Sequence, residues 1–248
     1  MKILQWNVWY KENIDNILGL LKEVDADVIC LQEITDDSDY NTGINTATYL
    51  ADKLEYNLFY KDAQTNTVDG LSKGLGNAIL SKSPIVSSNF FHIQEPTNPE
   101  AKDVDYSKEG RLYSEITVSV NNREFTIGTT HMSYTYAFQE TSAKRDETDN
   151  LLKILKGKTS NFLITGDFNV LPDSYTVNEI QKMFKNVGPP INENTWTTKP
   201  FSYNGFEAKT LDWRLDYCFA TADVEVISAQ ILKTEFSDHL PILIELKD

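Results

Sequence analysis

Residues 161–169 read Asn161-Phe162-Leu163-Ile164-Thr165-Gly166-Asp167-Phe168-Asn169, a short apolar run that ends directly on an acid and an amide. A continuous apolar run bounded by turn residues is the pattern of a buried strand. A carboxylate set right behind such a run has no packing role, and burying it unpaired costs roughly several kcal/mol. Asp167 and Asn169 stand two apart at the strand end and so point to one side, where one can accept a proton from water and the other can orient that water or a phosphate oxygen. Taken alone, Gly166-Asp167-Phe168-Asn169 suits a type I turn equally well.

The same construction recurs along the chain. Ile3-Leu4-Gln5-Trp6 runs into Asn7, Val28-Ile29-Cys30-Leu31-Gln32 runs into Glu33, and Ser237-Asp238-His239 stands just ahead of the last apolar run, residues 240–246. Each polar terminus falls on a sheet edge where several strands can converge on one cleft, and a metal ion there offsets the desolvation of the acids. Magnesium prefers few protein carboxylates plus water and phosphate oxygens, so Glu33 helped by Asn7 or Asp238 is a sufficient ligand set. Asp216, within Trp213-Arg214-Leu215-Asp216-Tyr217, is a candidate to hold the His239 imidazole, fixing its tautomer and favouring the protonated ring. Each has a plainer alternative: Glu33 as a solvated strand terminus, Asp238-His239 as a loop pair, His131 as a strand-end histidine. His92 reads as structural, and Lys144 and Arg145 read as a solvated helix face.

The chain has 248 residues, 40% hydrophobic, with 37 acidic against 23 basic side chains and a formal charge of −14. That length suits one domain over 1–248. The acidity opposes strong sequence-independent nucleic-acid binding, which rests on many lysines and arginines releasing counterions; a bound divalent cation can still attract a phosphate locally. Entry into an apolar run within the first residues leaves no room for a signal peptide, so a cytoplasmic protein without a membrane span is expected. Cys30 and Cys218 sit in apolar runs without metal or redox spacing, which predicts buried thiols.

Apolar spacing at Ile14, Ile17, Leu18, Leu21 and Val24 predicts an amphipathic helix. Further helices are expected near 46–54, 142–156 and 175–184, and strands near 56–60, 76–86 with a turn at Ser83-Pro84 that suggests antiparallel pairing, and at 213–220, 224–233 and 240–246. Residues 111–131 alternate around Asn121-Asn122, a hairpin signature that leaves His131 at its far end. Polar or irregular loops are expected at 62–74, 94–110 and 188–211. Mixed parallel and antiparallel strands with helices between them imply an α/β (α+β) four-layer sandwich, two mixed, mainly antiparallel sheets packed face to face and flanked by helices.

These residues resemble the endonuclease/exonuclease/phosphatase superfamily, the DNase I-like metal-dependent phosphoesterases. The resemblance runs the whole chain and rests on Trp6-Asn7, Leu31-Gln32-Glu33, Gly76-Asn77-Ala78-Ile79-Leu80, Thr130-His131, Gly166-Asp167-Phe168-Asn169, Arg214-Leu215-Asp216-Tyr217 and Ser237-Asp238-His239, in the family's order. It implies that Glu33 ligates Mg2+ or Mn2+ with Asn7 beside the metal, and that Asp167 activates the attacking water while Asn169 positions phosphate. It further implies that His131 and His239 contact the phosphate, that Asp216 supports His239, and that Asp238 completes the metal or imidazole environment. Relatives usually follow the His131 motif with leucine and an acid or amide, whereas Met132, Ser133 and Tyr134 stand here. Arg111, Tyr134 and Trp196 are candidate substrate contacts.

The expected activity is divalent-metal-dependent phosphoester hydrolysis, phosphodiesterase or phosphatase, on a phosphorylated small molecule, a lipid headgroup or a nucleic-acid end. A DNA or RNA nuclease or an end-processing phosphodiesterase is the alternative reaction, and a noncatalytic binding protein retaining the fold is the alternative of another class.

Overall fold

The computed structural model describes residues 1–36, 41, 44–68, 71–96 and 108–247. The chain opens with β1 (Lys2–Asn7), α1 (Ile14–Val24), β2 (Val28–Thr35), α2 (Thr46–Leu54), β3 (Asn57–Val68) and β4 (Leu71–Ser81). It continues with β5 (Ile85–Gln94), β6 (Arg111–Val120), β7 (Arg123–His131), α3 (Ser142–Leu155), β8 (Phe162–Asp167), α4 (Tyr175–Gln181) and β9 (Lys185–Asn186). A small hairpin, β10 (Phe201–Tyr203) and β11 (Phe206–Ala208), precedes β12 (Asp216–Ala220), β13 (Val226–Ile231) and β14 (Ile242–Leu246).

Two six-stranded mixed sheets result, ordered β13-β14-β1-β2-β4-β3 and β5-β6-β7-β8-β12-β9. Successive strand residues face opposite sides, and the sequence uses this to build separate cores. Ile3, Val28, Cys30 and Ile79 of the first sheet meet Ile116, Ile127, Leu163 and Cys218 of the second. Their neighbours Leu4, Ile29, Leu31 and Leu80 face outward onto Ile14, Ile17, Leu21 and Leu50 of α1 and α2. On the far side, Phe162, Ile164 and Phe219 pack against Leu151, Leu155, Val177 and Ile180 of α3 and α4. Helix, sheet, sheet and helix are thus four layers, and each fully buried large aliphatic or aromatic side chain contributes about 1.5–3 kcal/mol. The helices start where polar caps stand: Asn13, Asn45, Thr141 and Ser174 each accept a backbone N–H from the first turn.

Several expectations are corrected. The polar segment 62–74 is not a loop but extends a long hairpin, with β3 and β4 in register out to Val68 and Leu71. The turn at Ser83-Pro84 does not close an antiparallel pair, because β4 and β5 lie in different sheets. Segment 188–211 contains the β10–β11 hairpin, with Trp196 bridged to Trp213 and His239. The expected loop at 94–110 lies largely outside the described residues. The Asn121-Asn122 hairpin is found, with φ 52° and 62° at the two asparagines, the left-handed pair that a tight two-residue turn requires. Cys30 and Cys218 are buried free thiols. No helix among the described residues is long and apolar enough to cross a membrane.

Candidate active site

Strand direction gathers the predicted residues at one edge of the sandwich. β1 and β2 run parallel with Asn7 beside Gln32, and β7 and β8 run parallel with His131 beside Asp167. β12 runs antiparallel to β8, so it begins at that same edge, with Asp216 opposite Asp167. β14 is antiparallel to β1, which brings residues 237–239, just ahead of it, to the edge as well. Two local deformations aim the side chains. β2 carries an extra residue between the pairs Leu31–Ala78 and Ile34–Gly76, and at this bulge Glu33 takes φ 59°. A non-glycine residue held there costs about 1 kcal/mol or more and re-aims its side chain. Gly166 lies so close to β7 that a Cβ would stand 2.1 Å from the Thr130 carbonyl oxygen.

Asp167 is the point of convergence. Its Oδ2 accepts the Asn7 amide at 3.0 Å and the Asn169 amide at 3.4 Å, and lies 3.5 Å from His131 Nε2 and 3.4 Å from His239 Nε2. Its Oδ1 accepts the Asn169 backbone N–H at 2.9 Å. Asn7 also donates to Glu33 Oε1 at 3.0 Å, while its Oδ1 accepts the Trp9 N–H; the amide nitrogen therefore faces both carboxylates. The imidazole of His239 is held by Asp216, Nδ1 to Oδ2 at 2.9 Å, and the other Asp216 oxygen accepts from Gln5 at 2.9 Å. Asp238 accepts the Trp196 indole N–H at 3.0 Å.

Burial sets the electrostatics. Desolvation pushes the Glu33 carboxyl up to about 7, with the Asp238 charge adding, while the Asn7 amide and His239 pull the other way. Desolvation likewise pushes Asp167 up to about 6, opposed by His239 and reinforced by Asp216. Burial lowers His131 well below the usual histidine range, and the positive charges of Arg111, His239 and Lys144 add to this. His239 goes the opposite way: burial disfavours its charge, but Asp216, Asp167 and Asp238 together outweigh that and raise it well above the ordinary value. The two histidines are thus pushed in opposite directions, His131 toward the neutral ring and His239 toward the cation.

The donor set suits a hard divalent cation. Glu33 and Asp238 both face the cleft, and the cost that burial and the Asp238 charge place on ionising Glu33 is one that a divalent cation would offset. Asp167, Asp216 and His239 also bring one potential ligand atom each to within 4.8 Å of one another. That trio is already bonded internally, with His239 Nδ1 on Asp216 and its Nε2 against Asp167, while Glu33 and Asp238 face the open cleft.

Glu33, Arg111, His131, Tyr134, Asp167, Asn169, Trp196, Asp238 and His239 line a single cleft of about 250 Å³. Asn7 and Asp216 stand behind that lining, bonded to Glu33, Asp167 and His239 as described. Arg111 is buried and paired with Glu109 at 2.7 Å. His92 is not part of that lining; its Nε2 is bonded to the Ala63 carbonyl.

Sequence reasoning missed part of the support. Lys144 is not solvated: it is 2% exposed, donates to the Ser133 carbonyl at 2.6 Å and lies 3.5 Å from buried Glu147. Glu147 accepts the Ser133 N–H at 3.0 Å, so this pair grips the chain two residues beyond His131. Only a helical wheel marks it, since Lys144 and Glu147 share the face carrying Leu151. Arg145 is exposed and pairs with Glu140. Gln5 and Gln32 form a buried relay, Gln5 donating to Gln32 and Gln32 to Thr129 at 2.8 Å.

A sequence profile of the Endonuclease/Exonuclease/phosphatase family matches residues 4–239, and the chain belongs to that family. Among solved structures it is similar to an endonuclease/exonuclease/phosphatase family protein of Leptotrichia buccalis, at 20% identity, full coverage of both chains and a TM-score of 0.72. It is also similar to a Bacteroides thetaiotaomicron mannosyl-6-phosphatase, at 17% identity, full coverage of both chains and 0.68. The human Nocturnin catalytic domain with a bound sulfate anion matches at 19% identity over 100% of this chain and 93% of that one, with 0.70. At such identities the likeness concerns the fold. No protein of curated function matches the chain in sequence.

Proposed function

We propose that this protein is a divalent-metal-dependent hydrolase that cleaves a phosphoester bond, acting on a phosphorylated small molecule. The observation that carries this reading is the meeting of Asn7, Asn169, His131 and His239 on one oxygen of Asp167. In a family of phosphoesterases this is the constellation of a positioned base surrounded by phosphate-binding groups.

Glu33 and Asp238 would hold a magnesium or manganese ion, which when bound would supply Lewis-acid polarisation of a phosphate oxygen. Asp167, pushed up to about 6, is basic enough to take a proton from water and is still ionised at neutral pH. The water oxygen bonds to phosphorus as the ester bond from phosphorus to the alcohol oxygen breaks; the departing oxygen takes a proton from solvent, and Asp167 returns to solvent the one it took from the attacking water. Cationic His239 donates toward the developing phosphoryl charge, and Asp216 keeps its imidazole protonated and oriented. Neutral His131 donates one hydrogen bond, and Asn169 fixes the Asp167 carboxylate.

Release of p-nitrophenol from bis-p-nitrophenyl phosphate and p-nitrophenyl phosphate, with magnesium, manganese or EDTA, tests the proposal. Metal-dependent turnover lost in Asp167→Asn supports it, and the diester to monoester ratio separates phosphodiesterase from phosphatase. Absence of both turnover and magnesium binding would leave a binding protein on the same fold.

A further inference from the structure

The floor of the cleft is accounted for by the acids and histidines, but its walls carry a chemistry of their own. Tyr134, Phe138, Trp196, Phe201 and Tyr203 line one continuous part. They come from the chain after His131 (Tyr134, Phe138), from Trp196 ahead of β10, and from β10 itself (Phe201, Tyr203). Tyr134 meets Phe138, Phe201 and Tyr203 edge to face with centroids 5.5, 5.7 and 5.8 Å away, and its hydroxyl accepts the Ala137 N–H at 3.2 Å. Rings locked edge to face present fixed surfaces, so a ligand ring can lie on them without ordering the wall first. Tyr134, Phe201 and Tyr203 are each half-buried and all three line the cleft.

This wall is joined to the chemical centre. Trp196 packs against Phe201 at 5.1 Å and Phe138 at 5.2 Å while its N–H is bonded to Asp238. Elsewhere on the rim, Lys199 lies 4.9 Å over the Trp9 ring and 2.9 Å from Glu12. That contact ties the segment preceding β10 to the one following Asn7, whose Tyr10 N–H donates to Glu33 at 3.3 Å. The ring-lined wall and the acids are therefore parts of one linked construction.

Size and charge narrow the occupant. A cleft of about 250 Å³ lies just below the roughly 300–1,000 Å³ of pockets for drug-sized ligands, which suits one ring and its phosphate. Polymeric nucleic acid needs a broad basic surface, against which the chain carries a formal charge of −14.

Resting on the phosphoesterase reading, we infer that the substrate is the phosphate ester of a compact ring-bearing alcohol, sugar- or nucleoside-sized. Its ring lies on the wall of Tyr134, Phe201 and Tyr203 while its phosphate meets Asp167 and the histidines. Specificity then resides in β10 and the segment after His131, not in the acids of the floor.

The test compares kcat/KM for a hexose phosphate, a nucleoside monophosphate, glycerol phosphate and a phosphate-terminated oligonucleotide, with magnesium, in wild type, Tyr134→Leu and Tyr203→Leu. Bis-p-nitrophenyl phosphate serves as the reporter of the phosphoesterase centre itself. The expected result is that one ring ester exceeds glycerol phosphate and the oligonucleotide by about tenfold or more, the size that stacking one ring on an aromatic side chain gives. Both variants shrink that ratio, mainly through KM, and the better ring ester tells sugar from nucleoside. Glycerol phosphate or the oligonucleotide turned over as well as either ring ester would overturn the inference, as would an unchanged ratio in both folded variants. So would cleavage of the reporter diester without turnover of any ring ester, which leaves the phosphoesterase reading standing. No metal-dependent cleavage of any ester, the reporter included, removes that reading and the inference with it.

Discussion

His239 presents Nε2 to Asp167 at 3.4 Å while Asp216 holds its Nδ1 at 2.9 Å. The imidazole is thus bracketed by two carboxylates that face each other across β8 and β12, an arrangement that both orients the ring and keeps it cationic. Replacing Asp216 by Asn keeps the shape but removes the charge that favours the protonated ring. The expected loss in kcat is about a hundredfold, read by steady-state kinetics, with folding unchanged by circular dichroism.

Asp167 must be ionised to accept a proton, and burial pushes it up to about 6. The rate should therefore climb as pH rises toward that value and level off above it, in a pH profile of kcat/KM. Asp167→Asn should cost about a hundredfold or more in rate.

The same shift has a stability consequence. An acid whose folded value lies above its unfolded value binds protons more tightly when folded, so its contribution to stability falls as pH rises through the window between 3.8 and about 6. In metal-free protein at pH near 8, Asp167→Asn should then be more stable than wild type by on the order of 1 kcal/mol or more. That gain should fade in acid. Denaturant melts at several pH values check it, and a variant less stable than wild type at every pH contradicts it.

Glu33 is aimed into the cleft by a bulge at a backbone angle that most residues avoid. Glu33→Ala should abolish most turnover and raise the magnesium concentration needed for the remainder, both read in a magnesium titration. An unchanged titration would remove Glu33 from the metal site.

Lys144 and Glu147 are buried side by side beneath the segment that follows His131. Removing one partner leaves an uncompensated buried charge, so Lys144→Met should cost about 3–5 kcal/mol in chemical denaturation. The double replacement Lys144→Met with Glu147→Leu should recover most of that loss.

Much of the site was legible because its acids and amides stand at the ends of apolar runs, where neither packing nor a turn fully accounts for them. Chain order then supplied the resemblance, and strand direction explains why residues as distant as Asn7 and Asp238 meet. Lys144 escaped because a charged residue on a helix is ordinarily solvated, and its burial depends on a partner three residues on that only tertiary packing brings into use. The 62–74 hairpin escaped because its strands are polar, so their pairing with each other leaves no apolar alternation to read. The crossover at Ser83-Pro84 escaped because a turn fixes a change of direction, not the sheet that receives the next strand.

The central claim, a metal-dependent hydrolytic centre built on Asp167, is tested most directly by cleaving bis-p-nitrophenyl phosphate in water enriched in the heavy oxygen isotope, with magnesium or EDTA. The account predicts turnover with magnesium only, one heavy oxygen in the phosphate product and none in the p-nitrophenol, and loss of both signals in Asp167→Asn. Turnover that persists in EDTA, label found in the phenol, or an Asp167→Asn protein as active as the wild type would contradict it.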